Sequence, residues 1–239
     1  MLGSSFKGGV AYIRGRDAEH IKVLRLRPGE KVTVCDGEGT DYNCEFISAT
    51  KDEAELKIID IVPCVTEPDV SVSLLCGLPK GSERQDYIIQ KAVECGAHDI
   101  QFFNSSRCVA RPDTPQKKLE RWNRISEEAA KQSGRGIIPE VKWAGDIAGA
   151  YEVAAATDLG IFMYETGERE RYDVLLEKNK GIKSAAIITG PEGGFEKFEA
   201  DLARKIGLHV VSMGNRILRC ETAPIIALSN IMFSTGNLS

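Results

Sequence analysis

Ile187-Ile188-Thr189-Gly190-Pro191-Glu192-Gly193-Gly194-Phe195, with Met213-Gly214-Asn215-Arg216-Ile217-Leu218-Arg219-Cys220-Glu221-Thr222-Ala223 after it, is the stretch from which the fold can be read. Each half is a short apolar run that empties into a Gly-bearing turn and then into a helix, the pattern of a buried strand followed by a loop. At the carboxyl end of a strand in an α/β sheet, backbone amides of the turn and the next helix can approach a small molecule closely, and glycine leaves room for it. In Gly190–Gly194, three glycines with Pro191 fixing φ make a loop whose amides can point inward. The loop has neither the G-K-[ST] ending of a P-loop nor a G-x-G-x-x-G fingerprint, so triphosphate and dinucleotide readings are poor and a plain tight turn is the bland alternative.

Taken together, GPEGGF and the later G-x-R-I-L-R-x-E-T-A string resemble the SPOUT class of S-adenosylmethionine-dependent RNA methyltransferases. The resemblance is to the ribosomal RNA small subunit methyltransferase E family in particular, which methylates N3 of a uridine in 16S ribosomal RNA. It implies a deep trefoil knot built around the two turns. It implies cofactor contact at Thr189, Gly190, Pro191, Glu192, Gly193 and Gly194 in the first turn, and at Met213, Gly214, Ile217, Leu218, Arg219, Thr222 and Ala223 in the second. Tyr164 and Glu165, at the end of another strand, form an expected third cofactor-facing loop. Met213 stands where leucine is usual and Cys220 where threonine is usual, both similar in size although a hydroxyl is lost.

The bulk properties set the frame. At 239 residues the chain can bury a substantial core, and its composition is that of an ordinary globular protein. No long apolar run predicts a membrane span, and Met1–Val10 has no apolar core of signal-peptide length, so a cytoplasmic location is the default expectation. The seven cysteines are dispersed, with no C-x-x-C pair, which points to reduced thiols rather than disulfides or zinc. His20, His98 and His209 form no H-E-x-x-H arrangement. The net charge of -4 argues only weakly against a nucleic-acid partner, because phosphate contact depends on where the cations lie.

Along the chain, residues 1–68 read as one unit. Val10–Arg14 is a strand, Asp17 can cap a helix stopping at Arg27-Pro28-Gly29, and Lys31–Cys35, Tyr42–Ala49 and Ala54–Val62 are strands of a small antiparallel barrel. His20, Val23–Glu30 and Asp36-Gly37 fit the PUA-like RNA-binding barrel of the family, more loosely than the C-terminal match. Residues 69–239 alternate strand and helix, which predicts an α/β domain with a parallel sheet, the SPOUT domain of the resemblance. Its strands are Val70–Cys76, Asp99–Phe103, Asp158–Tyr164, Ser184–Thr189 and Leu208–Met213. Ser82–Gln85 reads as a capping box opening a helix that ends near Gly96. Thr114-Pro115 opens a longer helix with Leu119, Trp122, Ile125 and Ala129 on one face, closing at Ser133-Gly134. Further helices are expected near 146–156, 170–178 and 196–206, and a last one from Glu221 to about Phe233.

Two basic regions are candidates for RNA contact. In the first unit, Arg14, Arg16, Lys22, Arg25, Arg27 and Lys31 outnumber Asp17, Glu19 and Glu30; Arg25 and Arg27 are the expected contacts. In the second, Arg107, Arg111, Lys117, Lys118, Arg121, Arg124, Lys131 and Arg135 outnumber Asp113, Glu120, Glu127 and Glu128. Glu128–Arg135 matches the family string E-A-A-x-Q-S-x-R, and Lys80, Arg84, Gln132 and Arg135 are the expected contacts there; a wet amphipathic face is the bland account.

For the chemistry, Arg219 is the expected cation that stabilises negative charge on the uracil. Glu221 is either a proton acceptor or merely the cap of the final helix. The resemblance also implies a homodimer, to which the apolar helix from Ala223 to Phe233 can contribute. A non-catalytic RNA-binding protein is disfavoured by the intact Arg219, Glu221 and glycine turn, and an enzyme of the same class acting on another nucleotide or on ribose is the remaining alternative.

Overall fold

Alternating apolar and polar residues in the N-terminal part of the chain build an antiparallel sheet, and the near-continuous apolar runs further on build a parallel one. The structure, a computed structural model, describes residues 5–109 and 115–238; the expectations placed on Arg111, Asp113 and Thr114 lie outside them. The chain divides into two units, Met1–Glu67 with Gly134–Ile138, and Pro68–Ser133 with Pro139–Ser239.

In the first unit the order is β1 (Ser5–Lys7), β2 (Val10–Arg14), α1 (Arg16–Leu24), β3 (Lys31–Cys35), β4 (Thr40–Ala49) and β5 (Glu53–Pro63). The sheet runs β1-β2-β5-β4-β3 with antiparallel neighbours. Inward-facing positions such as Ala11, Ile13, Val34, Cys44, Phe46 and Leu56, with Ile21 of α1, form its core. The Asp36 turn is set by its carboxylate, which accepts from the amides of Glu38 (2.7 Å) and Thr40 (3.1 Å). The cap of α1 is Gly15 at φ 66, with Asp17 one position inside the first turn; a glycine can take the backbone shape the entry needs. The helix also stops earlier than expected, at Arg25 in the left-handed region (φ 52).

Gly134–Ile138, which follows the Trp122 helix and which the sequence reading placed in the second unit, belongs to this first unit. Gly136 accepts at its carbonyl from the Gly39 amide (2.9 Å) and the Cys35 thiol (3.0 Å), and Ile137 bridges to Glu38. Glu67 holds the segment: its carboxylate accepts from the amides of Gly136 (2.8 Å) and Ile137 (3.0 Å) and pairs with the Arg135 guanidinium (2.5 Å).

The second unit comprises β6 (Ser71–Gly77), α2 (Ser82–Glu94), β7 (Asp99–Asn104), α3 (Pro115–Ser133), β8 (Glu140–Asp146), α4 (Ile147–Ala155), β9 (Leu159–Met163), β10 (Glu170–Arg171), α5 (Tyr172–Lys178), β11 (Ser184–Thr189), α6 (Lys197–Lys205), β12 (His209–Ser212) and α7 (Ala223–Ser234). Its seven strands run β10-β12-β9-β11-β6-β7-β8, every pair parallel. β9 and β11 are buried almost throughout, as strands covered on both faces must be.

Three details depart from expectation. The edge strand β8 carries no buried apolar run, since Val141 alone is buried between Glu140 and Lys142, so periodicity gives no signal for it. The Ser82–Gln85 capping box does not form: Gly81 (φ 89) precedes α2, and the buried Gln85 donates to the Pro79 carbonyl (2.8 Å) and accepts from the Trp122 indole (3.2 Å). A fully buried indole N–H needs an acceptor, and Gln85 supplies it. The last helix starts at Ala223 with Pro224 in its first turn, so Glu221 lies before the helix, in the loop.

Candidate functional site

Because the strands are parallel, the loops after β6, β9, β11 and β12 all open on the same edge of the sheet, and neighbouring strands bring those loops together. They enclose a cavity of about 510 Å³, a size suited to a small molecule. Tyr164 and Glu165 come to it from β9; Thr189, Gly190, Pro191, Glu192 and Gly194 from β11; Met213, Gly214, Ile217, Leu218, Arg219, Glu221 and Ala223 from the segment after β12. Arg84 of α2 completes the wall. Of the residues expected at the cofactor, Gly193 and Thr222 do not line the cavity. Gly193 accepts at its carbonyl from Arg107 (2.9 Å), and Thr222 is the N-cap of α7.

The glycine turn is shaped by its surroundings. The Gly194 amide donates to the Pro191 carbonyl (2.9 Å), and Gly194 takes φ +65. Pro191 packs against the end of β6 so closely that a Cβ on Gly77 would lie 2.5 Å from its Cδ and 2.7 Å from its nitrogen. Thr189 is buried, its hydroxyl turned to Cys76 (3.4 Å) of the neighbouring strand. Behind the turn Phe195 packs on Phe162, ring centroids 4.3 Å apart. Arg107 clamps the turn from outside, donating to Gly193 and to Glu196 (2.8 Å).

The second loop is tied by the Thr222 and Ala223 amides, both 2.9 Å from the Arg219 carbonyl. Leu218 is half-buried in the wall, whereas Ile217 stands 85 % exposed, so the apolar wall offered by this loop is mainly Leu218.

Charges alternate across the cavity mouth. Glu192 accepts from the Lys80 amide (2.8 Å) and from Arg84 (2.5 Å); Arg84 Nε lies 3.8 Å from Glu221, and Arg219 lies 4.0 Å from the other Glu221 oxygen. Glu221 is 16 % exposed, Arg219 83 %. Burial pushes the Glu221 carboxyl up, but a hydrogen bond from the Cys220 thiol (3.1 Å) and the two guanidiniums outweigh it, holding the group below the usual carboxylate range. Burial, and next the Glu221 contact, push the Cys220 thiol up to about 12, so it stays a donor.

The expected RNA contacts divide. Arg25, Arg27, Lys80 and Gln132 are exposed. Arg84 lies in the cavity wall, brought there because β6, which precedes its helix, pairs with β11. Arg135 is 5 % exposed and bound to Glu67, so its charge is withdrawn from the surface. Other cations around α3 have partners but stay partly exposed: Arg121 pairs with Asp86, Lys131 with Glu127, and Lys118 lies over the Trp122 ring.

Comparison with known proteins gives a consistent set of relatives. Residues 66–232 match the family described as an RNA methyltransferase domain, and 13–59 the one described as an RNA methyltransferase PUA domain. The chain is 33 % identical over 230 residues to the ribosomal RNA small subunit methyltransferase E of Bacillus subtilis, covering 93 % of this chain and 90 % of that protein. It is 30 % identical over 233 residues to that of Mycobacterium tuberculosis, covering 94 % and 86 %. Among solved structures, the ribosomal RNA small subunit methyltransferase E of Neisseria gonorrhoeae bound to S-adenosyl methionine has a TM-score of 0.81 at 29 % identity, over 98 % of this chain and 95 % of that one. A putative methyltransferase of Legionella pneumophila, in complex with the bound cofactor, has a TM-score of 0.81 at 25 % identity, over 96 % and 94 %.

Proposed function

The chain belongs to the ribosomal RNA small subunit methyltransferase E family, and on that premise we propose that it transfers the methyl group of S-adenosylmethionine to N3 of a uridine in 16S ribosomal RNA. The observation that carries this reading is the single cavity into which the glycine turn and the Met213–Ala223 loop both open. The residues present fit the cofactor. Gly77 keeps the turn where a side chain would displace it, Gly194 supplies the φ +65 the turn takes, and Leu218, Met163 and Phe195 offer apolar surface for an adenine. When bound, the cofactor supplies a methyl group already activated on a sulfonium, so placing the base in line with it provides much of the acceleration.

The chain must deal with the imino proton. Uracil N3 is mostly protonated at neutral pH and is then a poor nucleophile, so a base and a cation are needed beside it. Glu221 is ionised and faces the cavity, which suits it to take the proton. Its place in the loop before α7 favours this over a capping role. Arg219 projects from the mouth and is free to donate to a uracil carbonyl oxygen as charge builds there. Folded RNA presents its bases stacked, so the target is drawn out of its stack while Arg25 and Arg27 of the PUA-like unit, with Lys80 and Gln132, hold neighbouring phosphates.

The trefoil knot of the SPOUT class and a homodimer belong to the same reading. A groove between α5 and α7, lined by Tyr172, Leu176, Ile226, Asn230 and the exposed Phe233, is where the second subunit would dock. Light scattering at micromolar concentration is expected to give twice the chain mass, and Phe233→Asp to give the mass of one chain. No helix among the described residues is long and apolar enough to cross a membrane; a cytoplasmic location is part of the same proposal.

Mass mapping of 16S RNA from cells with and without the protein tests the substrate: a methyl group on N3 of one uridine is expected, and methylation of another base or of ribose would replace the reading. Glu221→Gln is expected to lower single-turnover methyl transfer by roughly 10²–10⁴-fold with the fold intact; a wild-type rate would return Glu221 to a capping role.

A further inference from the structure

We infer that Arg84 is a positioning residue for methyl transfer, spanning the cavity mouth to fix the Glu221 carboxylate against the glycine turn through Glu192. The inference rests on the reading above, in which Glu221 takes the N3 proton.

Arg84 lies on the first turn of α2, immediately after the loop that leaves β6, and β6 lies beside β11 in the sheet. That adjacency, invisible in the sequence, sets its guanidinium between the carboxylates of two different loops. One nitrogen is 2.5 Å from Glu192 Oε1 and another 3.8 Å from Glu221 Oε2. Glu192 is itself anchored by the Lys80 amide at 2.8 Å, so Arg84 is braced at one end by the segment that carries it. The result is a row of alternating charge, Glu192, Arg84, Glu221, Arg219.

The two arginines beside Glu221 are not equivalent. Arg219 is 83 % exposed and 4.0 Å away, whereas Arg84 is 44 % exposed and held by Glu192. A side chain that turns to a uracil carbonyl cannot at the same time serve the carboxylate behind it. When Arg219 engages the base, Glu221 retains the Cys220 thiol, its own backbone amide and Arg84, and of these three Arg84 alone is a positive charge. Among the described residues, the charged groups set against it are Arg84 and Arg219: Cys220 stays protonated, Glu192 is reached through Arg84, and the first turn of α7 carries no acidic residue. In the step itself the N3 proton passes to a Glu221 oxygen, the N3 electron pair forms the bond to the methyl carbon, and the carbon–sulfur pair returns to sulfur as a neutral thioether. The products are an N3-methylated ring and a protonated Glu221 that gives its proton back to water.

The test is the pH dependence of single-turnover methyl transfer to small-subunit RNA by the full-length wild type, Arg84→Met, Arg84→Lys and Glu221→Gln, with S-adenosylmethionine affinity measured by calorimetry. Arg84→Met is expected to slow transfer by about ten- to a hundredfold and to move the acid limb of the profile to higher pH, with cofactor affinity within a few fold of wild type. Arg84→Lys, which keeps a charge beside Glu221, is expected to bring the limb most of the way back. An acid limb that stays in place in Arg84→Met overturns the inference, whatever the rate, because a merely structural brace would slow the reaction without moving a titration. If Glu221→Gln transfers methyl at the wild-type rate, the proton-acceptor reading falls and this inference with it. If Glu221→Gln is slow and lacks the limb while Arg84→Met keeps it unmoved, the role of Arg84 alone is wrong.

Discussion

Two glycines show how little room the site leaves, and they differ in kind. At Gly77 an added Cβ would meet the backbone nitrogen of Pro191, a neighbour that cannot step aside without moving the whole turn. At Gly194 the added atom would meet only a Glu165 carboxylate oxygen at 2.7 Å, which can swing away, leaving the strain of φ +65. Gly77→Ala is therefore expected to weaken S-adenosylmethionine binding more than tenfold by calorimetry and to destabilise the fold by about 1–3 kcal/mol, with the smaller losses in Gly194→Ala. The sequence disclosed Gly194 and concealed Gly77. The glycine turn and the Arg216–Ala223 string lie along continuous segments, so their chemistry can be read in order. Gly77, Arg84 and Arg107 join the site only because β6 lies beside β11 and the loop after β7 reaches the turn, which no local pattern encodes.

Among the elements, the Glu67–Arg135 clamp is the clearest case of a side chain whose role reverses once its surroundings are known. Arg135 ends a string that reads as an RNA contact, yet its guanidinium closes the segment 134–138 onto the first unit. Burial raises the Glu67 carboxyl, but the Arg135 contact and the amides of Ile137 and Gly136 outweigh it, so the group sits below its ordinary value. A carboxyl depressed in the folded state contributes stability that is present above its unfolded pKa and is lost as pH falls through the folded one. Glu67→Ala takes the carboxylate from the Arg135 guanidinium and from the amides of Gly136 and Ile137 and is expected to cost about 1–3 kcal/mol at neutral pH, while replacing both Glu67 and Arg135 with methionine should remove the pH dependence that the pair supplies. Thermal melts from neutral to acid pH check both, the wild type losing more stability on acidification than the double variant. By contrast α3 was legible along its apolar face: of the four residues read there at helical spacing, Trp122, Ile125 and Ala129 are buried and Leu119 is partly so. β8 was not, because an edge strand with one buried position has no period to read.

For the molecule as a whole, charge placement matters more than the sum of -4. Arg121 and Lys131 of α3 have acidic partners whereas Arg25 and Arg27 of the first unit are exposed, and we propose that these two carry a larger share of the RNA attraction. The double reversal Arg25→Glu with Arg27→Glu is expected to weaken RNA binding and to flatten the slope of log affinity against log salt by roughly 0.7–0.9 per lost phosphate contact. Filter binding across salt concentrations measures this, with cofactor affinity unchanged as the control. The order of the parallel sheet has a further consequence, for how the protein is made. β6 has β11 on one side, and Thr189 meets Cys76 from 113 residues downstream. A nascent chain must therefore carry one bare margin of an apolar strand through the synthesis of everything in between, the long-separation closure that makes such topologies slow to fold and vulnerable to clumping on the way. An enzyme that methylates ribosomal RNA is in this respect a demanding product of the ribosome.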